Sequence, residues 1–115
     1  ALLSAGLLAA FVVHAETAAD PLAGHMMWGA ETPATMGYME ANAAMHQGMA
    51  IDYTGDADVD FIKGMIPHHQ GAIDMAKIVL EHGKDPEIRK LAEEVIAAQE
   101  GEIAMMKAWL AKNGQ

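Results

Sequence analysis

The spacing of apolar side chains between Asp56 and Gly83 constrains the fold of this chain more than any other sequence feature. Apolar residues and histidines recur there four and three positions apart, the period of an α-helix with one buried face. They form two neighbouring stripes: Phe61, Met65, His68, Ala72, Met75, Val79 and His82, and Ile62, Ile66, His69, Ile73, Ala76 and Leu80. This pattern predicts a helix with a wide buried face, with acidic residues at its start and a glycine at its end. Pro67 lies inside it and predicts a kink before His68 and His69.

Two further helices are predicted, one on each side of this segment. The first begins at Thr32-Pro33, a capping residue followed by a first-turn proline, and continues to about Ile51. The last begins at Asp85-Pro86 by the same signal. Its apolar stripe consists of Ile88, Ala92, Ile96, Gln99, Ile103, Met106 and Leu110. Because short loops connect antiparallel neighbours, we expect an all-α, up-down antiparallel helical bundle of three main helices over residues 32–115. Its open side would be closed by a partner subunit or by residues 16–31.

The N-terminal segment is not expected to belong to the bundle. Residues 1–13 are almost wholly apolar and uncharged, and Ala15 followed by Glu16 is similar to a signal-peptide cleavage site. We predict a signal peptide at 1–15, truncated at its start, and a flexible lead-in over 16–31, with export to the periplasm or the cell exterior. The alternative is an uncleaved membrane anchor, but the apolar run is shorter than the about 20 residues that span a bilayer. After cleavage we expect no stable membrane insertion.

The chain is strongly acidic and contains no cysteine. It has 16 Asp and Glu against 7 Lys and Arg, a formal net charge of −9, and its first basic residue is Lys63. An acidic surface repels nucleic acid and attracts cations, so we expect no nucleic-acid partner. Small exported domains often depend on disulfides. This one must instead be stabilised by helix packing, by a second copy in a homodimer, or by bound metal.

Ten methionines in 115 residues are the unusual feature of the composition, and they cluster with histidine. Several lie three or four positions apart, which places their side chains on one helix face. The candidate metal ligands are Met36, Met39, Met45, His46 and Met49 on the first predicted helix and Met65, His68, His69 and Met75 on the second. If these helices pack side by side, sulfur and imidazole donors meet along one seam. Methionine at helical spacing more often fills a core, but its grouping with His68-His69 beside Pro67 favours a metal site.

The donor chemistry of this set predicts copper. Thioethers are soft donors that suit Cu(I), and imidazole suits Cu(I), Cu(II), zinc and nickel. Structural zinc sites favour cysteine with histidine, and calcium and magnesium require oxygen ligands. Methionine also remains a ligand where thiols would be oxidised to disulfides. We therefore expect a non-enzymatic, exported protein that holds Cu(I), or alternatively Cu(II) or Ag(I), for sequestration, resistance or delivery to a partner.

Two further motifs have open interpretations. His25-Met26-Met27-Trp28 is either a second copper site, with the indole covering the cation, or part of a linker. Gln99 and Glu102 flank the buried stripe of the last helix. They either hydrogen-bond a ligating histidine and fix its ring, or bond to each other.

Two other classes of function are alternatives to copper binding. A di-iron redox enzyme on a four-helix bundle requires Glu-x-x-His motifs, and this chain contains none. A non-metal interaction protein would grip partner helices with a methionine-rich face. It predicts methionine and histidine spread over an exposed surface rather than gathered beside Pro67.

The residues around Pro67 also resemble a known family. Asp58-Val59-Asp60-Phe61 and the segment 65–76, MIPHHQGAIDMA, are similar to the core motif of the domain-of-unknown-function 305 (DUF305) family. The residues Met45, His46, Met49, Gln99, Glu102, Ile103, Met106, Trp109 and Leu110 fit the rest of its pattern, so that the resemblance covers about residues 33–112. It implies a ferritin-like helical bundle, often exported, with copper-binding members such as the copper-resistance protein CopM. It also implies a copper-binding role for Met45, His46, Met49, Met65, His68, His69 and Met75.

Overall fold

The computed structural model describes residues 31–115, which form three α-helices connected by short loops. Helix α1 is Pro33–Met49, α2 is Ala57–His82 and α3 is Pro86–Lys112. No strand occurs within this range, which confirms the all-α prediction. The proposed signal peptide, nearly all of the lead-in and the His25-Met26-Met27-Trp28 motif lie outside the described residues. None of the helices in residues 31–115 is long and apolar enough to cross a membrane.

The helix starts follow from their capping side chains, as predicted. Thr32, Asp56 and Asp85 each accept hydrogen bonds from backbone N–H groups of the first turn, at 2.9 to 3.2 Å. These N–H groups have no partner within the helix, so each cap stabilises its helix by about 0.5–2 kcal/mol. Helix α1 ends at Met49, two residues before the predicted Ile51. The local signals therefore define the helix starts closely.

The loop between α1 and α2 is organised by one carboxylate. Asp60 accepts hydrogen bonds from the backbone N–H and hydroxyl of Thr54, at 2.9 and 2.8 Å, and from the N–H of Gly55 at 3.1 Å. The Thr54 backbone bond is the main reason why the pKa of Asp60 is lowered from its ordinary value. Gly55 has a φ of +89°, a conformation that glycine adopts without strain. The loop thus reverses the chain direction in a few residues.

Helix α1 packs antiparallel on α2 through very close backbone approaches. A Cβ atom added at Gly48 would lie 2.7 Å from Cβ of Pro67, near the start of α2, whereas one added at Gly37 would lie 3.1 Å from Cγ1 of Ile78. The later residue of α1 therefore contacts the earlier residue of α2. Pro67 does not end the helix, which continues through it to His82.

Helix α3 returns antiparallel along another face of α2. Near its start, Arg89 Nη1 donates hydrogen bonds to the carbonyl oxygens of Leu80 and Gly83, at 2.6 and 3.1 Å. At the opposite end, Lys63 Nζ donates to Gln115 Oε1 at 3.0 Å. Helices α1 and α3 both contact α2 but do not contact each other. The up-down order and the open side predicted for three helices are both present.

The hydrophobic core lies between α2 and α3. Ile73, Ile103 and Met106 are buried there. The half-buried apolar side chains that pack against them are Ile62, Met65, Ile66 and Ile96. Most of these residues belong to the second predicted stripe of α2 and to the predicted stripe of α3. The periodicity therefore identified this interface.

The prediction that both stripes of α2 are buried is wrong. Phe61 and Met75 are 61% and 50% exposed, and His68 is also exposed. The reason is that α1 packs on the face of α2 that contains Pro67 and Gly71. Successive helical residues point about 100° apart, so the direction of Pro67 differs from that of His68 by about a quarter of a turn. The open side between the two outer helices is consequently lined by three residues of the first stripe, Ala72, Met75 and Val79.

Candidate metal site

His69 is the one polar side chain in the buried set of residues 31–115, with 8% of its surface exposed. Its Nε2 lies within hydrogen-bonding distance of Glu102 Oε2 on α3. An ionised carboxylate has no proton to give, so Nε2–H donates and the carboxylate accepts. The two residues are 33 positions apart in sequence and connect the middle of α2 to α3. Of the two roles considered for Glu102, bonding to a candidate histidine ligand is the one observed.

The second ring nitrogen of His69 has no partner in the part of the chain that the structure describes. Nδ1 is buried, and no group of residues 31–115 lies within hydrogen-bonding distance of it. When Nε2 carries the proton of a neutral imidazole, Nδ1 carries a lone pair. A buried polar atom without a partner costs about 1–3 kcal/mol. The combination of one nitrogen held by a carboxylate and one free lone pair is typical of a histidine that ligates a metal.

His68 points away from this position. Its ring centroid lies 6.1 Å from that of His69, and the two ring planes are tilted by 58°. His68 is exposed, whereas His69 faces α3. Adjacent residues on a helix diverge by about 100°, which explains why the His68-His69 pair does not form one face.

Three candidate ligands of α1 lie near the Pro67 turn of α2: Met45, His46 and Met49. Met45 is half-buried, and its Sδ would be 2.9 Å from a Cβ added at Gly71. His46 and Met49 are exposed on the last turns of α1, beside the contact of Gly48 with α2. Met45 therefore packs on α2 within one helical turn of His69 in sequence, but on a different face.

Two other candidate methionines meet at the opposite end of the α1–α2 pair. Met39 and Met75 line one shallow pocket together with Thr35, Tyr38 and Asn42. Met75 lies six positions beyond His69, about 9 Å along the helix axis. Met36 is 53% exposed and does not line this pocket. The nine candidates thus occupy several positions along α1 and α2 rather than one.

The open side of α2 forms an apolar groove between the outer helices. It is lined by Tyr38, Ala72, Met75, Ala76, Val79, Ile88, Leu91, Ala92 and Val95. Ile88 was expected in the buried stripe of α3, but it is exposed because α1 does not reach across to cover it. This groove continues into the pocket of Met39, since Tyr38 and Met75 line both.

Hard donors do not gather at any of these positions. Among residues 31–115, no three His, Asp or Glu side chains are arranged so that they could hold one metal ion. The hydrophobic cluster between α2 and α3 contains two sulfur donors, Met65 and Met106. The sequence pattern places Met106 in an apolar stripe and not among the candidate ligands. Met106 lies four positions from Glu102, the same spacing as that between Met65 and His69.

Comparison with known proteins places these residues in a family. The chain is 43% identical over 53 residues to the "Uncharacterized protein L153" of Acanthamoeba polyphaga mimivirus. The match covers 46% of this chain and 35% of the viral protein, so it spans about a third of that relative. A family model described as "Domain of unknown function (DUF305)" matches residues 8–110, which include all three helices almost to the end of α3. Because this match extends over most of the chain, the protein belongs to the DUF305 family, as its core motif indicated.

Proposed function

We propose that this protein binds copper, as Cu(I), and serves in copper sequestration, resistance or delivery. The observation that carries the proposal is the environment of His69, whose Nε2–H is bonded to Glu102 and whose buried Nδ1 has no partner among residues 31–115. Native proteins pair nearly all buried polar atoms. A metal ion on Nδ1 would remove the cost of the unpaired nitrogen, and the Glu102 carboxylate would orient the ring and raise its basicity.

The donors around this nitrogen favour copper over other metals. Thioether sulfur is soft and neutral, and the hydrophobic cluster between α2 and α3 contains Met65 and Met106. A set of imidazole and thioether donors binds Cu(I) well and binds calcium or magnesium poorly. The residues present therefore fit the metal that the sequence predicted.

The wider setting is consistent with binding rather than catalysis. A net charge of −9 raises the concentration of cations at the surface. We propose that copper is a cargo and that the protein has no enzymatic activity. Export to the periplasm or the cell exterior, a homodimer that covers the open side, and a separate copper-delivery partner are parts of the same proposal.

The proposal is tested by anaerobic Cu(I) titration of the protein against a chromogenic chelator. We expect the wild type to compete for Cu(I) and His69→Ala to lose most of this affinity. Glu102→Gln should weaken binding by about 10–100-fold, because it removes the negative charge that holds the ligating ring. His82→Ala is the matched control, since His82 lies exposed in the last turn of the same helix.

Two results would contradict the proposal. A wild-type protein that cannot compete with the chelator has a much lower affinity for Cu(I) than the chelator has. Equal affinity in wild type and His69→Ala would mean that copper sits elsewhere and that the unpaired nitrogen is irrelevant. Circular dichroism of each variant shows whether its helices are intact.

A second candidate function is a methionine-rich module that binds an amphipathic partner helix. The observation in its favour is the exposed apolar groove that includes Met75 and Leu91. Methionine adapts to varied apolar surfaces, which suits such binding. This function requires no metal, so Leu91→Glu would abolish partner capture while leaving Cu(I) affinity unchanged.

A further inference from the structure

We infer that this protein forms a homodimer in which α3 packs antiparallel on α3 of a second copy. The surface that pairs is a stripe along α3 that does not contact α2, called here the outer stripe. It consists of Leu91, Val95, Ala98, Glu102, Met105 and Trp109. The inference rests on the homodimer of the proposed function and specifies its interface and its register.

The three helices form a single layer with one uncovered apolar side. Helix α1 packs on α2 at Gly71, whereas α3 packs on α2 at Ile73. Two residues along a helix differ in direction by about 200°, so α1 and α3 lie on nearly opposite sides of α2. Helical domains are built from at least two packed layers. The second layer over the open side is absent from residues 31–115.

The outer stripe faces this open side. Its members are spaced four, three, four, three and four positions apart, the repeat of helices that pack along their length. Each member directly precedes a residue of the stripe that packs on α2, so it points about 100° away from the core. Leu91 and Val95 line the groove between the outer helices. Met105 is 65% exposed and Leu91 is 54% exposed, so the outer stripe is the uncovered apolar face of α3.

The spacing of the outer stripe is the same when it is read from either end. In an antiparallel pair of identical helices, all its members therefore meet in one register. Leu91 lies opposite Trp109 of the partner subunit, and Val95 lies opposite Met105 of the partner subunit. The smallest member, Ala98, lies opposite the charged one, Glu102 of the partner subunit. A two-fold symmetric interface requires such self-complementarity, which selects a second copy of this chain as the occupant.

Charges at the ends of α3 favour the antiparallel direction. Glu87 is the second residue of α3 and Lys112 is its last, and both are exposed. They lie 25 positions apart, close to a whole number of helical turns, so they flank the same edge of the outer stripe. In the antiparallel register, Glu87 lies within one residue of the level of Lys112 of the partner subunit. A parallel pair would instead place like charges together, which is unfavourable.

The first experiment measures the oligomeric state of the full chain by analytical ultracentrifugation without metal. We expect the wild type to be a dimer. Met105→Glu should raise the dissociation constant of the dimer by about 100-fold or more, because each dimer would bury two carboxylates among apolar side chains. Ala104→Glu is the matched control. Ala104 is the exposed neighbour of Met105 and points about 100° away from it, so this variant should dimerise as the wild type does.

The second experiment tests the register by cross-linking. The chain contains no cysteine, so introduced thiols are its only ones. A protein with both Val95→Cys and Met105→Cys, oxidised with diamide, should form a disulfide-linked dimer on a non-reducing gel. The two positions are about 15 Å apart along one helix, too far for a disulfide within one chain.

Two kinds of control accompany the cross-linking experiment. Neither single variant should cross-link, because each thiol would lie about 15 Å along the axis from its own copy. A protein with both Glu93→Cys and Lys107→Cys has thiols at exposed positions placed equally far from the centre of the outer stripe, but on the opposite side of α3. It should remain unlinked.

The outcomes separate this inference from the proposed copper binding. A monomeric wild type would overturn the inference and leave the open side to residues 16–31 or to a helix of another protein. A dimer that Met105→Glu does not weaken, or that positions 95 and 105 do not link, would overturn it as well. A dimer with the expected cross-link that cannot compete for Cu(I) would contradict copper binding and support the inference. Met105→Glu should bind Cu(I) as the wild type does.

Discussion

Replacement of Gly48 by alanine tests the closest contact between α1 and α2. The added Cβ would lie 2.7 Å from Cβ of Pro67. Carbon atoms in contact are normally about 3.5–4.0 Å apart, so the two helices must separate locally by about 1 Å. Pro67 cannot turn its Cβ away, because that atom is part of a ring fixed to the backbone of α2. We therefore expect Gly48→Ala to displace the end of α1.

The expected destabilisation follows from two opposing contributions. Forcing extra atoms into a tight contact usually costs about 1–3 kcal/mol. Alanine in a helix is favoured over glycine by about 0.5–1 kcal/mol, which offsets part of that cost. Gly48→Ala should therefore lower the free energy of unfolding by about 1–2 kcal/mol. Gly71→Ala should cost less, because the atom in its way, 2.9 Å from the added Cβ, is the Sδ at the flexible end of Met45.

Gly64→Ala and Gly101→Ala are the matched controls. Both glycines lie inside helices, and a Cβ added at either would meet nothing within 4 Å. Only the helix preference remains, so each control should raise the free energy of unfolding by up to about 1 kcal/mol. Urea unfolding followed by circular dichroism measures these changes. With a slope near 1 kcal/mol per molar urea, Gly48→Ala and the controls should differ by about 2 M in midpoint.

A Gly48→Ala protein as stable as Gly64→Ala would refute the reasoning. The close approach of Gly48 to Pro67 would then be incorrect, and so would the register that places Met45 beside Gly71. The level assigned to His46 and Met49 relative to α2 depends on the same contact.

Two further predictions concern the loops that connect the helices. The pKa of Asp60 is lowered, mainly by the hydrogen bond from the Thr54 N–H. The carboxylate therefore stabilises the folded state at pH values above the ordinary pKa of an aspartate. This stabilisation is lost as the pH falls through the lowered pKa of the folded state. Asp60→Asn should therefore melt at a lower temperature than the wild type at neutral pH, and the difference should shrink in acid; a difference that does not change with pH would contradict the role of Asp60. Arg89→Ala removes the two hydrogen bonds to the carbonyls at the end of α2 and should destabilise the protein by about 1–3 kcal/mol in urea unfolding. Lys90→Ala is its control, because Lys90 is exposed and its ion pair with Glu94, at 3.9 Å, lies on the surface of the same helix. Equal stability of the two variants would show that Arg89 does not hold the turn.

The candidate site could be predicted only in part. The grouping around Pro67 predicts His69 and Met65 as ligands, and the sequence offers Glu102 as one of two residues that could support a ligating histidine. The spacing of the residues does not determine which neighbouring helix, if any, each donor faces. His68 and His69 have the same chemistry and adjacent positions, yet one is exposed and the other is bonded to α3. Their roles differ because of the packing of two other helices, which no local spacing specifies.

The sequence by itself determined the helices, their starts and the family. Capping at Thr32, Asp56 and Asp85 and the recurrence of apolar residues are local properties, because each involves groups within a few positions along the chain. The tertiary structure alone decided which residues of α2 are buried and that His69 meets Glu102. His69 and Glu102 are 33 positions apart, and their contact depends on two helices docking in one register. The physical reason is that helix formation depends on residues that are close in sequence, whereas the burial of a side chain depends on which other helix packs against it.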